Sequence, residues 1–248
     1  MKGSIAILLA LGLAAGPAAA GTVVFTDGTF APADYETAFV FSGDGLSTAS
    51  FAQCASCGNP GTAMQLTFNE PSGVAVSIGM INTTFSYDPG TQGAITTIGA
   101  GVDKQFDNPY SDVSFGNYFR PLIEQNGNFF AAAITDGKVF GPGLSAYDTL
   151  SGAGLTATDF VEYDPLTGTF GAAHPDFSSG TMYFGLLQSI GNTGEVSPGN
   201  ILVNYDNLVI NVANGVPEVS TWAMLALGFA GLGFAGSRRG AKSPLGLG

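Results

Sequence analysis

Between its two ends this chain has no run longer than about ten residues with helical periodicity. Its apolar stretches are short instead: "VVF", "AFVF", "MQLTF", "GNFFAAAI" and "TMYFGLL". Gly, Asp, Asn or Pro bounds them, and these residues stop regular structure through positive φ, Asx-turns or a missing N–H. This punctuation constrains the fold more than any other feature. Short runs between turn clusters read as strands, and many strands with few helices pack as two sheets. Strands are predicted near 22–26, 37–42, 63–69, 73–87, 94–99, 113–119, 128–134, 138–140, 159–163, 181–189 and 201–212. The clusters "DPGTQG", "EQNGN", "TDGK" and "DPLTG" fall between them. The aromatic residues in these runs supply a core, which separates the chain from acidic, Gly-rich disordered segments.

The two ends have a different grammar. Lys2 precedes an apolar run from Ile5 to Ala15, and "GPAAAG" offers small residues at a cleavage point near Ala20. A positive start, a short apolar stretch and small residues make a secretory signal peptide. At the other end Val219 to Ser237 carries no charge, long enough to approach a hydrocarbon core of roughly 30 Å. Trp222 stands near the start of that run, and Arg238, Arg239 and Lys242 follow it. Interfacial aromatics and a basic cytoplasmic flank fit one topology, with the body outside and the tail end inside.

Taken in order, "VPE", the apolar "GFAGLGFAG" and the Arg pair resemble the PEP-CTERM sorting domain of Gram-negative bacteria. The matching positions are Val216, Pro217 and Glu218, with Arg238 and Arg239 as the stop-transfer pair; the family's second proline is Val219 here. The resemblance implies Sec-route export, transient anchoring in the inner membrane by the C-terminal transmembrane helix, and processing by a membrane-embedded exosortase. It also implies a final place at the cell surface or in an exopolysaccharide or biofilm matrix. The expected organisation is a signal peptide at 1–20, a β-sandwich at 21–213, a sorting and transmembrane segment at 214–240 and a cytoplasmic tail at 241–248.

Charge narrows the partners. Outside the ends only Lys104, Arg120 and Lys138 are basic, against eighteen carboxylates, so the body carries about −15. Such a surface repels nucleic acid and anionic lipid and attracts divalent cations.

Within the body, "DGTFAPADY", "GLTATDF", "HPDFSSGTMYFGLL" and "YDNLVINV" resemble secreted bacterial jelly-roll proteins of the galactose-binding and laminin-G-like kind. In jelly rolls the terminal strands commonly pair, which would bring Asp27 near Asp206. Asp27, Asp44, Asp206 and Asn207 are hard oxygen donors beside glycine or in turns, a chemistry that suits calcium. The candidate structural calcium site is Asp27 with Asp206; the alternative is that these residues only make Asx-turns.

Cys54 and Cys57 in "QCASCGNPG" are the only cysteines. In an oxidising compartment they read as a disulfide. A redox pair would open a helix, whereas "GNPG" is a turn, and zinc would need further Cys or His ligands beyond the lone His174. His174 in "AAHPDF" reads as a loop hydrogen-bonder. "EYDPLT" begins like the E-x-D-x-x-E strand of laminarinase-like glycosidases, with Glu162 and Asp164 in place and Thr167 where a third carboxylate belongs. The segment "NPYSDVSFGNYFRP" combines Tyr110, Tyr118 and Arg120 and is the candidate carbohydrate patch, since exposed aromatics stack on sugar faces. The expected function is non-enzymatic: adhesion or carbohydrate binding at the cell surface. A secreted glycan-active hydrolase and a purely structural matrix component are the alternatives.

Overall fold

The computed structural model describes residues 21–69, 74–110, 115–133, 138–191 and 200–215. The expected signal peptide, the sorting motif and the membrane segment lie outside these residues. Among the described residues no helix is long and apolar enough to cross a membrane.

Fifteen strands are seen among the described residues. They are β1 (Gly21–Asp27), β2 (Tyr35–Ser42), β3 (Thr48–Gly58), β4 (Gly61–Asn69), β5 (Val76–Tyr87), β6 (Ile95–Asn108), β7 (Phe115–Gln125) and β8 (Asn128–Ala132). There follow β9 (Lys138–Phe140), β10 (Gly143–Leu144), β11 (Asp148–Leu155), β12 (Phe160–Asp164), β13 (Thr169–Phe170), β14 (Met182–Gly191) and β15 (Asn200–Asn214). One helical turn at Pro89–Gln92 and two 3-10 turns are the helical elements described. The protein is an all-β sandwich of two antiparallel sheets. The first sheet runs β10–β6–β15–β4–β3, with β1 also paired to β15 and β11 to β6. The second runs β13–β12–β8–β7–β14–β5–β2, with β9 also on β7.

Strand alternation explains how the sheets meet. Ile201, Val203, Tyr205, Leu208, Ile210 and Val212 of β15 are fully buried and join Met182, Phe184, Leu186 and Ile190 of β14 in one core cluster. Each aliphatic or Phe side chain among them contributes about 1.5–3 kcal/mol on burial. Within this core the Tyr205 hydroxyl donates to Oε1 of the buried Gln188.

β15 organises the first sheet. One of its edges pairs with β4 over Asn200–Tyr205 and then with β1 over Leu208–Asn214. The terminal-strand pairing expected from the jelly-roll resemblance is therefore present. The change of partner falls at Asp206–Asn207, where β15 also bulges against β6 and Asn207 takes a positive φ of 53°. Asn tolerates that left-handed conformation better than most residues, and the bulge re-aims the neighbouring side chains.

The strand expectations need correction at several strands, and the two-residue β10 and β13 lie outside the predicted runs. β3 and β11 fall outside the predicted strands; their "TASFAQCASCG" and "DTLSGAGL" are dominated by small residues and offer no strong alternation. β6 extends to Asn108 rather than ending near 99: its "GVDKQFDN" buries every second residue, but Lys104 and Asn108 are among the buried ones, so the apolar alternation is hidden. β7 continues through Pro121 to Gln125, where proline would normally end an internal strand.

Candidate functional site

The outer face of the second sheet carries a second apolar cluster. Ile81, Leu122, Ala131, Tyr163 and Leu187 are buried there, with Phe39, Phe129 and Tyr183 packed on them. Phe39 comes from β2 and Tyr163 from β12, strands separated by β5, β14, β7 and β8. On a flat sheet five strand spacings amount to roughly 24 Å. Yet the Phe39 and Tyr163 rings stack with centroids 5.1 Å apart. The sheet therefore curls toward this face and makes it concave. Phe129 meets Phe39 edge-on at 4.9 Å, and Phe170 meets Tyr163 edge-on at 5.2 Å. Gly79 makes room for this packing, since a Cβ there would collide with the Phe39 ring.

Alternation along β7 sends Phe119 and Ile123 into the main core and Tyr118 and Arg120 to the concave face. The Arg120 guanidinium carbon lies 5.2 Å from the Tyr118 ring centroid and 5.0 Å from that of Phe170. Both rings stay 44% exposed. Two accessible aromatic faces thus flank a planar cation with several N–H donors. On the same face the Ser77 and Ser189 hydroxyls lie 2.8 Å apart. The Tyr163 hydroxyl is buried with no hydrogen-bond partner. Burial raises its pKa, partly offset by the nearby Ser77 hydroxyl and the Arg120 charge.

The third residue of the sequence patch lies elsewhere. Tyr110 follows β6, packs against the main core and sits 5.8 Å from the Phe115 ring. The structure brings Tyr118 and Arg120 together and adds Phe170, which sequence reasoning missed. Its only sequence signal is an aromatic residue shortly after the "DPLTG" turn.

Glu162 and Asp164 lie at the end of β12. Asp164 closes the following turn, accepting from Leu166 N at 2.8 Å and from the Thr167 hydroxyl at 2.8 Å. The Thr167 hydroxyl, then the Leu166 N–H, hold its carboxyl below the usual range. An acid so held stays ionised where a general acid must carry its proton. Glu162 lies against Gly171, whose N–H donates to the Glu162 carbonyl at 2.8 Å. His174 Nδ1 is 2.7 Å from the Phe160 carbonyl oxygen, a loop-fastening contact.

Cys54 and Cys57 are joined by a disulfide in the β3–β4 hairpin. Asn59 of that hairpin donates its N–H to Asp206 Oδ2 at 2.5 Å, and Asp206 Oδ1 accepts from Asn207 N at 2.7 Å. Asp27 pairs in register with Leu208, two residues beyond Asp206 on β15. Asp27 Oδ1 accepts from Thr29 N at 2.7 Å and Phe30 N at 2.9 Å, an Asx-turn, while its Oδ2 is buried without a partner. Burial above all raises the pKa of the neighbouring Tyr35, partly offset by the Asn82 side chain, and the Asp27 carboxylate beside its hydroxyl adds to the rise. Asp44 is separate, closing its own turn through Leu46 N and Ser47 N. Among the described residues no three His, Cys, Asp or Glu side chains converge as a metal site.

No family model matches the chain, and no characterised protein matches its sequence. Among solved structures it is similar to the family 11 carbohydrate-binding module of the cellulosomal cellulase Lic26A-Cel5E of Clostridium thermocellum. That likeness has 14% identity and a TM-score of 0.39 over 79% of this chain and 96% of that one. The mannan-recognising module TmCBM27 matches at 12% identity and a TM-score of 0.40 over 78% and 99%. The C-terminal family 22 module of Clostridium thermocellum Xyn10B matches at 15% identity and 0.36 over 75% and 95%. At this level of likeness the fold rests on the two-sheet topology itself.

Proposed function

We propose that this chain is an exported, non-enzymatic carbohydrate-binding protein of the cell surface or extracellular matrix, with a jelly-roll-like body sorted by its PEP-CTERM tail. The observation that carries the binding reading is the Tyr118–Arg120–Phe170 stack, open to solvent on a concave sheet face. Aromatic faces pack on the C–H face of a sugar ring, and the guanidinium donates to its hydroxyls. A hydrolase would need a positioned carboxyl pair; Asp164 is instead engaged in closing a turn. Calcium has a supporting role in this reading. Its ligands would include Asp27, whose orphaned Oδ2 fits a hard cation.

Affinity electrophoresis through gels containing soluble polysaccharides tests the binding. The parent protein is expected to be retarded in at least one, and Tyr118→Ala with Phe170→Ala to run as in a plain gel. Equal mobility of the parent in every gel would sink the reading. Sorting is tested separately, by intact mass of the protein exported from hosts with and without an exosortase. A C-terminus near Pro217 only in the first host is the expected result.

A further inference from the structure

The opposite face of the sandwich holds a cleft that the outer-face stack does not involve. It occupies about 400 Å³ on the first sheet and is lined by Gln65, Gln105, Asn204, Asp107, Leu144 and Tyr147, with the disulfide hairpin as one wall. That volume is within the roughly 300–1,000 Å³ of small-molecule sites.

Its floor is a chain of side-chain amides. Asn204 lies opposite Gln65 of β4 on one side and Gln105 of β6 on the other. Gln65 Nε2 donates to Asn204 Oδ1 at 3.0 Å, Asn204 Nδ2 to Gln105 Oε1 at 3.0 Å, and Gln105 Nε2 to the Ser145 carbonyl at 3.1 Å. The donors run in one direction across three strands, which fixes each amide's orientation. An amide nitrogen carries two N–H groups, so the ladder bonds of Asn204 and Gln105 leave a second donor on each.

The walls are equally fixed. The Tyr147 hydroxyl donates to the Cys57 carbonyl, tying the segment before β11 to the hairpin. The disulfide closes that hairpin and Asn59 anchors it on Asp206. Burial, with the Asp206 and Asp103 charges after it, pushes the Tyr147 pKa up to about 12. Leu144, 63% exposed, and Leu202 supply apolar surface. Walls held in this way lose little freedom when a ligand enters.

The chemistry selects the ligand. Amide N–H donors stand beside the Asp107 carboxylate, an acceptor with a full charge. A phosphate or carboxylate ligand would meet that charge, and a metal ion would meet N–H groups. A hydroxyl both donates and accepts, and neighbouring hydroxyls on an apolar ring use donors, carboxylate and leucine side chains together. We propose that this cleft is a second binding site, for a single neutral sugar unit at a chain end or branch. It is independent of the Tyr118 face.

The test uses the ¹⁵N-labelled exported protein, titrated with methyl glycosides of glucose, galactose, mannose and N-acetylglucosamine to millimolar concentrations. Side-chain amide signals of Gln65, Asn204 and Gln105 are expected to shift and saturate with at least one glycoside. Leu144→Asp, a change at an exposed position, is expected to weaken that titration about tenfold, while Tyr118→Ala leaves it unchanged. No shift with any glycoside overturns the proposal, as does an equal shift with glycerol, or loss of the shifts in Tyr118→Ala. Failure here alongside polysaccharide retardation that depends on Tyr118 would remove the cleft and keep the outer-face reading.

Discussion

Phe39 stacks on Tyr163 at 5.1 Å across the concave face of the second sheet, joining strands that four others separate. The contact holds the curl by pulling the two margins of the sheet toward each other. Phe39→Ala removes the ring that Tyr163 and Phe129 share. A fully buried Phe truncation costs roughly 3–5 kcal/mol, and Phe39 is only half-buried. The expected loss is therefore about 2 kcal/mol in urea denaturation. Val40→Ala on the same strand is the control. Val40 is 40% exposed, and its truncation is expected to change stability by less than about 0.5 kcal/mol. Equal stability of Phe39→Ala and the parent would show that the stack does not hold the curl.

Arg120 lies between the Tyr118 and Phe170 rings as a planar cation. Arg120→Lys keeps the charge and loses the plane and the fork of donors. Exposed cation–π contacts are worth about 0.5–1 kcal/mol. Polysaccharide affinity is therefore expected to fall about two- to fivefold, read by retardation in affinity gels. An unchanged retardation would reduce Arg120 to a simple charge.

Three aspartates that close turns are expected to contribute to the acid limb of stability. The carboxyls of Asp159, Asp164 and Asp176 are held below their usual range, chiefly by the hydroxyls of Thr156, Thr167 and Ser178. A depressed folded pKa gives stability that is present above the unfolded value, about 3.9, and is lost as pH falls through the folded one. Melting temperature is expected to drop below about pH 4 on this account. The triple change to asparagine should flatten that drop in thermal melts. A parent-like acid limb in the triple variant would assign the loss to other groups.

How much of this was legible in the sequence depended on whether a residue's neighbours were local. The turn at Asp164 follows from residues two and three positions away, so "DPLTG" announces it; the turn at Asp176 has equally local partners but is not among the turns read from the sequence. The two-sheet class followed from short apolar runs between such turns. Phe39 and Tyr163 meet only because the sheet curls, and no local pattern encodes that contact. Tyr110 and Tyr118 share a segment but part company, one packed on the main core and one on the outer face. Gln65 and Asn204 each read as a polar residue in a predicted strand while Gln105 falls beyond one, and only the register lines the three amides up.

Asp27 offers a clean test of a cation at the junction of the first and last strands. Its Oδ1 holds the turn to Phe30, and its Oδ2 is buried without a partner. Asp27→Asn keeps an oxygen for the turn and replaces the orphaned one with an amide, which repels a cation. A ligand that binds only the folded state at a hundred times its Kd stabilises by about 2.7 kcal/mol. Calcium is therefore expected to raise the melting temperature of the parent over that in EDTA, and to leave Asp27→Asn unmoved. Asp206 is the poorer position to change, since both its oxygens already accept backbone N–H groups and its loss would destabilise the hairpin with or without an ion. Identical melts of the parent in calcium and in EDTA would leave Asp27 and Asp206 as turn and bulge fasteners alone.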